Sequence, residues 1–198
     1  MRTAAKAQLE PRKPSSDGRL IALCRKGDQQ AWTDLVDKYK NLIYSIPIKL
    51  GMYDDAADIF QSVCLELLSD LPQLREARAL PKWLMQVSYH MCIEKQTKAR
   101  RQVQLEDEDA ENIPAEGTDA ALPEEILAQL QREQMVRDVV ADLPPRCERM
   151  VRMLFFETPP RPYQEIAKEL GLATGSIGFI RGRCLGRLKK QLGKMGFQ

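Results

Sequence analysis

Nine carboxylates with no lysine or arginine among them divide this chain. They are Glu106, Asp107, Glu108, Asp109, Glu111, Glu116, Asp119, Glu124 and Glu125, all between Gln102 and Glu125. Like charges at that density repel one another. Pro114 and Gly117 interrupt the backbone, and the stretch has no helical period. It is therefore read as a flexible acidic linker over 102–122. Any packed structure must come from the two flanks, about 80 and 75 residues long, each near the lower size for independent stability.

Both flanks read as helical. In the first, 19–101, apolar residues recur at three- and four-residue steps: Leu20, Ile21 and Leu23, then Ala31, Leu35, Val36, Tyr39, Leu42 and Ile43. Asp28 is a candidate N-cap for a helix holding Trp32. Gly51 breaks the chain, and Asp54 or Asp55 caps a helix carrying Ile59, Phe60, Val63, Leu67 and Leu68. Leu71-Pro72 ends it. Arg75 to Leu80 is a polar loop, and Pro81 suits the first turn of a helix with Trp83, Leu84, Val87, Met91 and Cys92 inward. In the second flank, 123–198, Ile126, Leu127, Leu130, Met135, Val136, Val139 and Val140 share a face. A turn at Asp142-Leu143-Pro144-Pro145 leads to a helix with Met150, Val151, Leu154 and Phe155 inward. Almost no stretch alternates as a strand does. The expected fold is all-α: two small helical domains joined by the acidic linker, with residues 1–18 a disordered tail.

The C-terminal flank carries the most specific local pattern. Tyr163 to Leu170 predicts a helix, Gly171 permits the left-handed turn after it, and Leu172 fills the gap beyond. Thr174 and Ser176 are candidate caps of a second helix with Ile177, Ile180, Cys184 and Leu188 inward. This is the spacing of a helix-turn-helix, with the small Ala167 at the helix crossing. The charge is one-sided: from Gly178 to Gln198 there are six basic residues and no acidic one. Taking the nine carboxylates of Gln102 to Glu125 out of a net charge of +2 leaves +11 on the rest. A basic helix alone is usually a solvated face; together with the glycine turn and Ala167 it points to double-stranded DNA. Gly178, Gly182 and Gly186 recur every four residues along the second helix, either allowing close approach to a partner or tolerated on an exposed face.

Other classes find little support. Cys24, Cys64, Cys92, Cys147 and Cys184 are scattered, with one histidine, His90, and no paired metal-ligand spacing. They read as reduced, mostly buried thiols of a cytoplasmic protein. No glycine-rich phosphate loop or catalytic constellation is visible, so neither an enzyme nor a cofactor or metal is expected. No apolar run is long enough to span a bilayer, and the polar N-terminus lacks the apolar core of a secretory signal.

Taken in order, these segments resemble the extracytoplasmic-function (ECF) group of sigma-70-type sigma factors, over about Arg19 to Leu192. Gly27-Asp28, Trp32, Leu35 and Tyr39, then Asp55-Ala56-Ala57-Asp58-Ile59-Phe60-Gln61 and Trp83-Leu84, resemble that family's region 2. Leu143-Pro144-Pro145-Arg146, Tyr163-Gln164-Glu165-Ile166-Ala167 and Gly171-Leu172 resemble region 4. The chain departs from the family pattern at Ser62, at His90 and at Gly178-Phe179-Ile180.

The resemblance implies a binding protein that holds RNA polymerase core, at its clamp and flap, while reading promoter DNA. Asp55, Asp58, Gln61 and Glu66 would meet the clamp. Arg75, Arg78, Lys82, Tyr89, His90, Lys95 and Lys98 would handle the −10 element, with Arg75 to Leu80 as the loop that encloses a flipped base. Thr174, Ser176, Phe179, Arg181 and Arg183 would read the −35 element, with Arg187, Lys189 and Lys190 on phosphates. Trp83 is a stacking platform or a core residue, helical spacing favouring core. The linker acids either mimic nucleic acid in a basic channel or form a spacer. Members of the family are often held by an anti-sigma factor, which no residue here identifies. The competing reading is a helix-turn-helix regulator that works without polymerase.

Overall fold

The computed structural model describes residues 16–106 and 122–197. Residues 1–15 of the tail expected over 1–18 and most of the acidic linker lie outside the described residues, whereas Asp17 and Gly18 are not tail but open the first helix. Those described form eight α-helices and no strand: α1 (Asp17–Cys24), α2 (Gln29–Lys49), α3 (Ala56–Asp70), α4 (Leu80–Glu106), α5 (Glu124–Ala141), α6 (Pro145–Phe155), α7 (Tyr163–Leu170) and α8 (Ile177–Lys194). No helix among them is long and apolar enough to cross a membrane.

The chain divides into two compact units. The first spans Ser16–Gln131. Its centre is α2, which buries Ala31, Leu35, Tyr39, Leu42, Ile43 and Ile46 at helical steps. Asp28 caps that helix, its Oδ1 accepting from the Ala31 amide at 3.0 Å. Around α2 pack Ile59, Val63 and Leu67 of α3 and Leu80, Leu84, Met85 and Cys92 of α4. Both tryptophans are half-buried against this core. Tyr39 donates its hydroxyl hydrogen to Asp17 at 2.9 Å, tying α1 to the middle of α2. Leu122, Ile126, Leu127 and Leu130 also pack here, although the sequence reading had begun the second domain at 123. Helix periodicity does not tell which core a face will join.

The second unit holds Arg132 to Phe197 among the described residues. Ile166, Ala167, Leu170 and Ile177 pack with Met150 and Met153. Val140, Leu143, Cys147, Val151 and Cys184 form an adjoining cluster. Gly171 adopts φ 63°, ψ 44°, the left-handed turn expected between α7 and α8.

Four expectations need correction. Cys147 and Cys184 are joined in a disulfide rather than reduced. Leu68 and Phe155, expected inward, are each 56% exposed, because no neighbouring helix covers that side of α3 or of the end of α6. Asp55 stands at the N-cap position of α3 without a capping hydrogen bond, its carboxylate being held elsewhere. Ser176 precedes α8 but does not cap it either, its hydroxyl donating to the Ala173 carbonyl at 2.7 Å.

Candidate nucleic-acid interface

In the second unit α7 and α8 meet across the Gly171 turn, and α8 turns its basic side outward. Ile177 and Cys184 are buried on the inner face, with Ile180 and Leu188 beside them. At 100° per residue, Gly178, Gly182 and Gly186 fall on the opposite face. A Cβ at any of them would meet nothing within 4 Å. Among the described residues nothing packs against these glycines; they leave a ridge of backbone. Phe179, Arg183 and Lys190 flank it on one side and Arg181 on the other, with Lys189 in line with the glycines, all exposed.

Several of these arginines are held. Arg181 Nη1 donates to the Tyr163 hydroxyl at 2.6 Å, and its guanidinium lies 5.9 Å from that ring's centre. Arg183 sits 4.9 Å over the ring of Phe179, which is 70% exposed. Arg187 Nη1 approaches Cys147 Sγ at 4.0 Å. The proline-rich approach to α7 is anchored by Arg161, which pairs with Glu157 and Glu169. Arg149 reaches Glu169 at 2.8 Å. Its hydrogen bond is the main reason the Glu169 carboxyl lies below the ordinary glutamate range, with Arg161 adding to it.

In the first unit the candidate residues fall on α3, α4 and the turn between them. Asp58, Gln61 and Glu66 are exposed and Asp55 is half-buried. Leu65 lies in the same stripe and is 69% exposed, a feature the sequence reading missed. Lys82, Gln86 and His90 form an exposed row at four-residue steps along α4, with Gln86 also missed. Tyr89 packs into the core with 8% exposure, so its ring presents no face to a base. Lys98 is exposed and paired with Glu94 at 2.6 Å. Lys95 points across to α3, meeting Asp55 at 2.8 Å and Asp58 at 3.0 Å. Hydrogen bonds to Asp55 and then Asp58 raise its pKa above the ordinary lysine value.

The turn between α3 and α4 walls a cavity of about 250 Å³, lined by Leu67, Asp70, Leu71, Arg75, Leu80 and Trp83 among others. Arg75, at the cavity wall, and Arg78, further along the turn, are both exposed. Arg25, from just past α1, clamps this turn. Its Nε and Nη2 donate to the Leu71 carbonyl at 3.3 and 3.2 Å, and Nη2 also donates to that of Leu74. Sequence reasoning missed Arg25, because its partners lie 46 and 49 residues away.

No family model matches the chain. It is 25% identical over 181 residues to the ECF RNA polymerase sigma factor SigW of Bacillus subtilis (strain 168), across 87% of this chain and 94% of that protein. That match supports the ECF sigma factor family for this chain. The similarity is long enough to take in both helical units, so it does not rest on the helix-turn-helix alone.

Proposed function

We propose that this chain is an ECF sigma factor that directs RNA polymerase core to specific promoters and aids their opening at initiation. The carrying observation is similarity to an ECF RNA polymerase sigma factor along nearly its whole length. A helix-turn-helix with an outward basic face supports the DNA half of the reading. The role is one of binding, without chemistry of the chain's own, and belongs in the cytoplasm with polymerase and promoters.

In this reading Asp58, Gln61 and Glu66 meet the polymerase clamp, with Asp55 held behind them by Lys95. Arg75, Arg78, Lys82 and His90 handle the −10 element, and Lys98 adds charge. The cavity under the 71–80 turn joins an indole wall, Trp83, to a guanidinium, Arg75. Capturing an unstacked base takes such a pairing of ring and cation, with stacking contributing roughly 1–3 kcal/mol. Arg181 and Arg183, with Thr174, Ser176 and Phe179, read the −35 element, while Arg187, Lys189 and Lys190 take phosphates. The acidic linker threads a positively charged channel of the polymerase; neutralising it should change the yield of abortive transcripts, and unchanged initiation and escape would remove that part.

Run-off transcription with core polymerase, followed by sequencing of the start sites, tests the whole. New polymerase-dependent starts are expected. Duplex binding without any such start would favour a helix-turn-helix regulator acting alone.

A further inference from the structure

We propose that Cys147 and Cys184 form a reversible thiol–disulfide exchange site whose oxidation strengthens the grip of α8 on DNA. The bond joins α6 to the middle of α8, between residues 37 apart in sequence, with their Cα atoms 5.3 Å apart. Two features mark Cys147 as the sulfur that meets reagents. It is the third residue of α6, an 11-residue helix, so the positive end of that helix favours a thiolate. The Arg187 guanidinium lies 4.0 Å from its Sγ. Cys147 is also the less buried partner, 6% exposed against 1% for Cys184. At the other three cysteines, Cys24, Cys64 and Cys92, burial raises the thiol pKa and so disfavours the thiolate.

The oxidant fitting such a thiolate is a low-molecular-weight disulfide. Cys147 attacks one of its sulfurs and expels the other as a thiolate. The Cys184 thiolate then attacks Cys147 Sγ and expels the second. Two protein thiols lose two electrons and two protons, and the small disulfide becomes two thiols. A dithiol reductant runs the steps backward.

The consequence falls on Arg187 and α8. In the reduced form a Cys147 thiolate competes with phosphate for the Arg187 guanidinium, and no covalent bond ties α8 to α6. In the oxidised form the sulfur is neutral and the helix is tied to α6. Both effects favour DNA binding by the oxidised form. This half of the proposal rests on α8 contacting DNA.

The test uses the full chain equilibrated in buffers of varied reduced-to-oxidised glutathione ratio. Thiols are trapped by alkylation and located by mass spectrometry, and affinity for a short random-sequence duplex is measured at low salt. Five thiols are expected at the reducing end and three, Cys24, Cys64 and Cys92, at the oxidising end. The oxidised form should bind the duplex roughly tenfold more tightly, the worth of one charged contact. A Cys147–Cys184 pair whose state ignores the glutathione ratio, whether always bonded or always free, overturns the exchange site. Equal duplex affinity across a clean thiol transition overturns the link to DNA. If neither form binds duplex, the DNA reading of α8 fails, while the thiol titration still decides the exchange. None of these readings needs a cysteine variant to fold.

Discussion

The ammonium of Lys95 bridges Asp55 and Asp58, so the middle of α4 is tied to the first turns of α3. One cation thus joins the stripe proposed for polymerase to the helix proposed for the −10 element. Lys95→Met should cost less than about 1 kcal/mol of stability in urea, since the pair is exposed. The sign with pH follows from the raised Lys95 pKa. The pair's contribution is complete below the ordinary lysine value of about 10.4 and fades as pH rises through the raised one. The variant should therefore lose less stability than the parent between neutral and strongly alkaline pH; identical pH profiles would show that the bridge contributes nothing.

Arg25→Ala removes the clamp on the turn over 71–74. A charged donor lost from a partly buried carbonyl costs roughly 1.5–3 kcal/mol. Promoter opening, read by permanganate reactivity of unpaired thymines, should fall, while binding to closed duplex stays near the parent value. A loss confined to duplex binding would count against the turn as the base-capturing element.

The hydroxyl of Tyr163 sets the direction of Arg181. Tyr163→Phe should relax base preference at the same −35 position as Arg181→Ala, by up to about 1–3 kcal/mol. The double variant should match Arg181→Ala alone. Additive losses, measured by selection from randomised duplexes, would separate the two residues.

Gly182 has open space where a side chain would begin. Gly182→Ala should raise the stability of the second unit by about 1 kcal/mol, seen as a higher denaturant midpoint. No gain would mean that the residue is not held in a helix there.

Acid titration probes Glu169, whose carboxyl lies below the ordinary range chiefly through Arg149. Its contribution is present above the usual glutamate value of about 4.3 and is lost as pH falls through the lowered one. Glu169→Gln should flatten that acid decline; an unchanged slope would remove the Arg149–Glu169–Arg161 cluster from the account.

Much of this was legible because helices write their buried faces at fixed spacing. Ala31 to Ile43, the Asp28 cap and the Gly171 turn all rest on interactions within a few residues. What was hidden rests on distant partners. Periodicity places Leu68 and Phe155 inward, yet both face solvent because, among the described residues, no second helix lies beside them. Tyr89 looked available for bases and is enclosed by the core. Cys147 and Cys184 carry no local mark of pairing across 37 residues. Lys95 and Arg25 likewise find their partners 37 to 49 residues away.

The bare ridge of α8 also bears on when that helix exists. Gly178, Gly182, Gly186 and Gly193 stand in its 18 residues, each less favourable than alanine by about 1 kcal/mol. Such a segment has little tendency to coil by itself in water. Its order is borrowed from α6 and α7, on which its inner face rests. The helix proposed to meet DNA therefore holds its shape only as long as the rest of the second unit does.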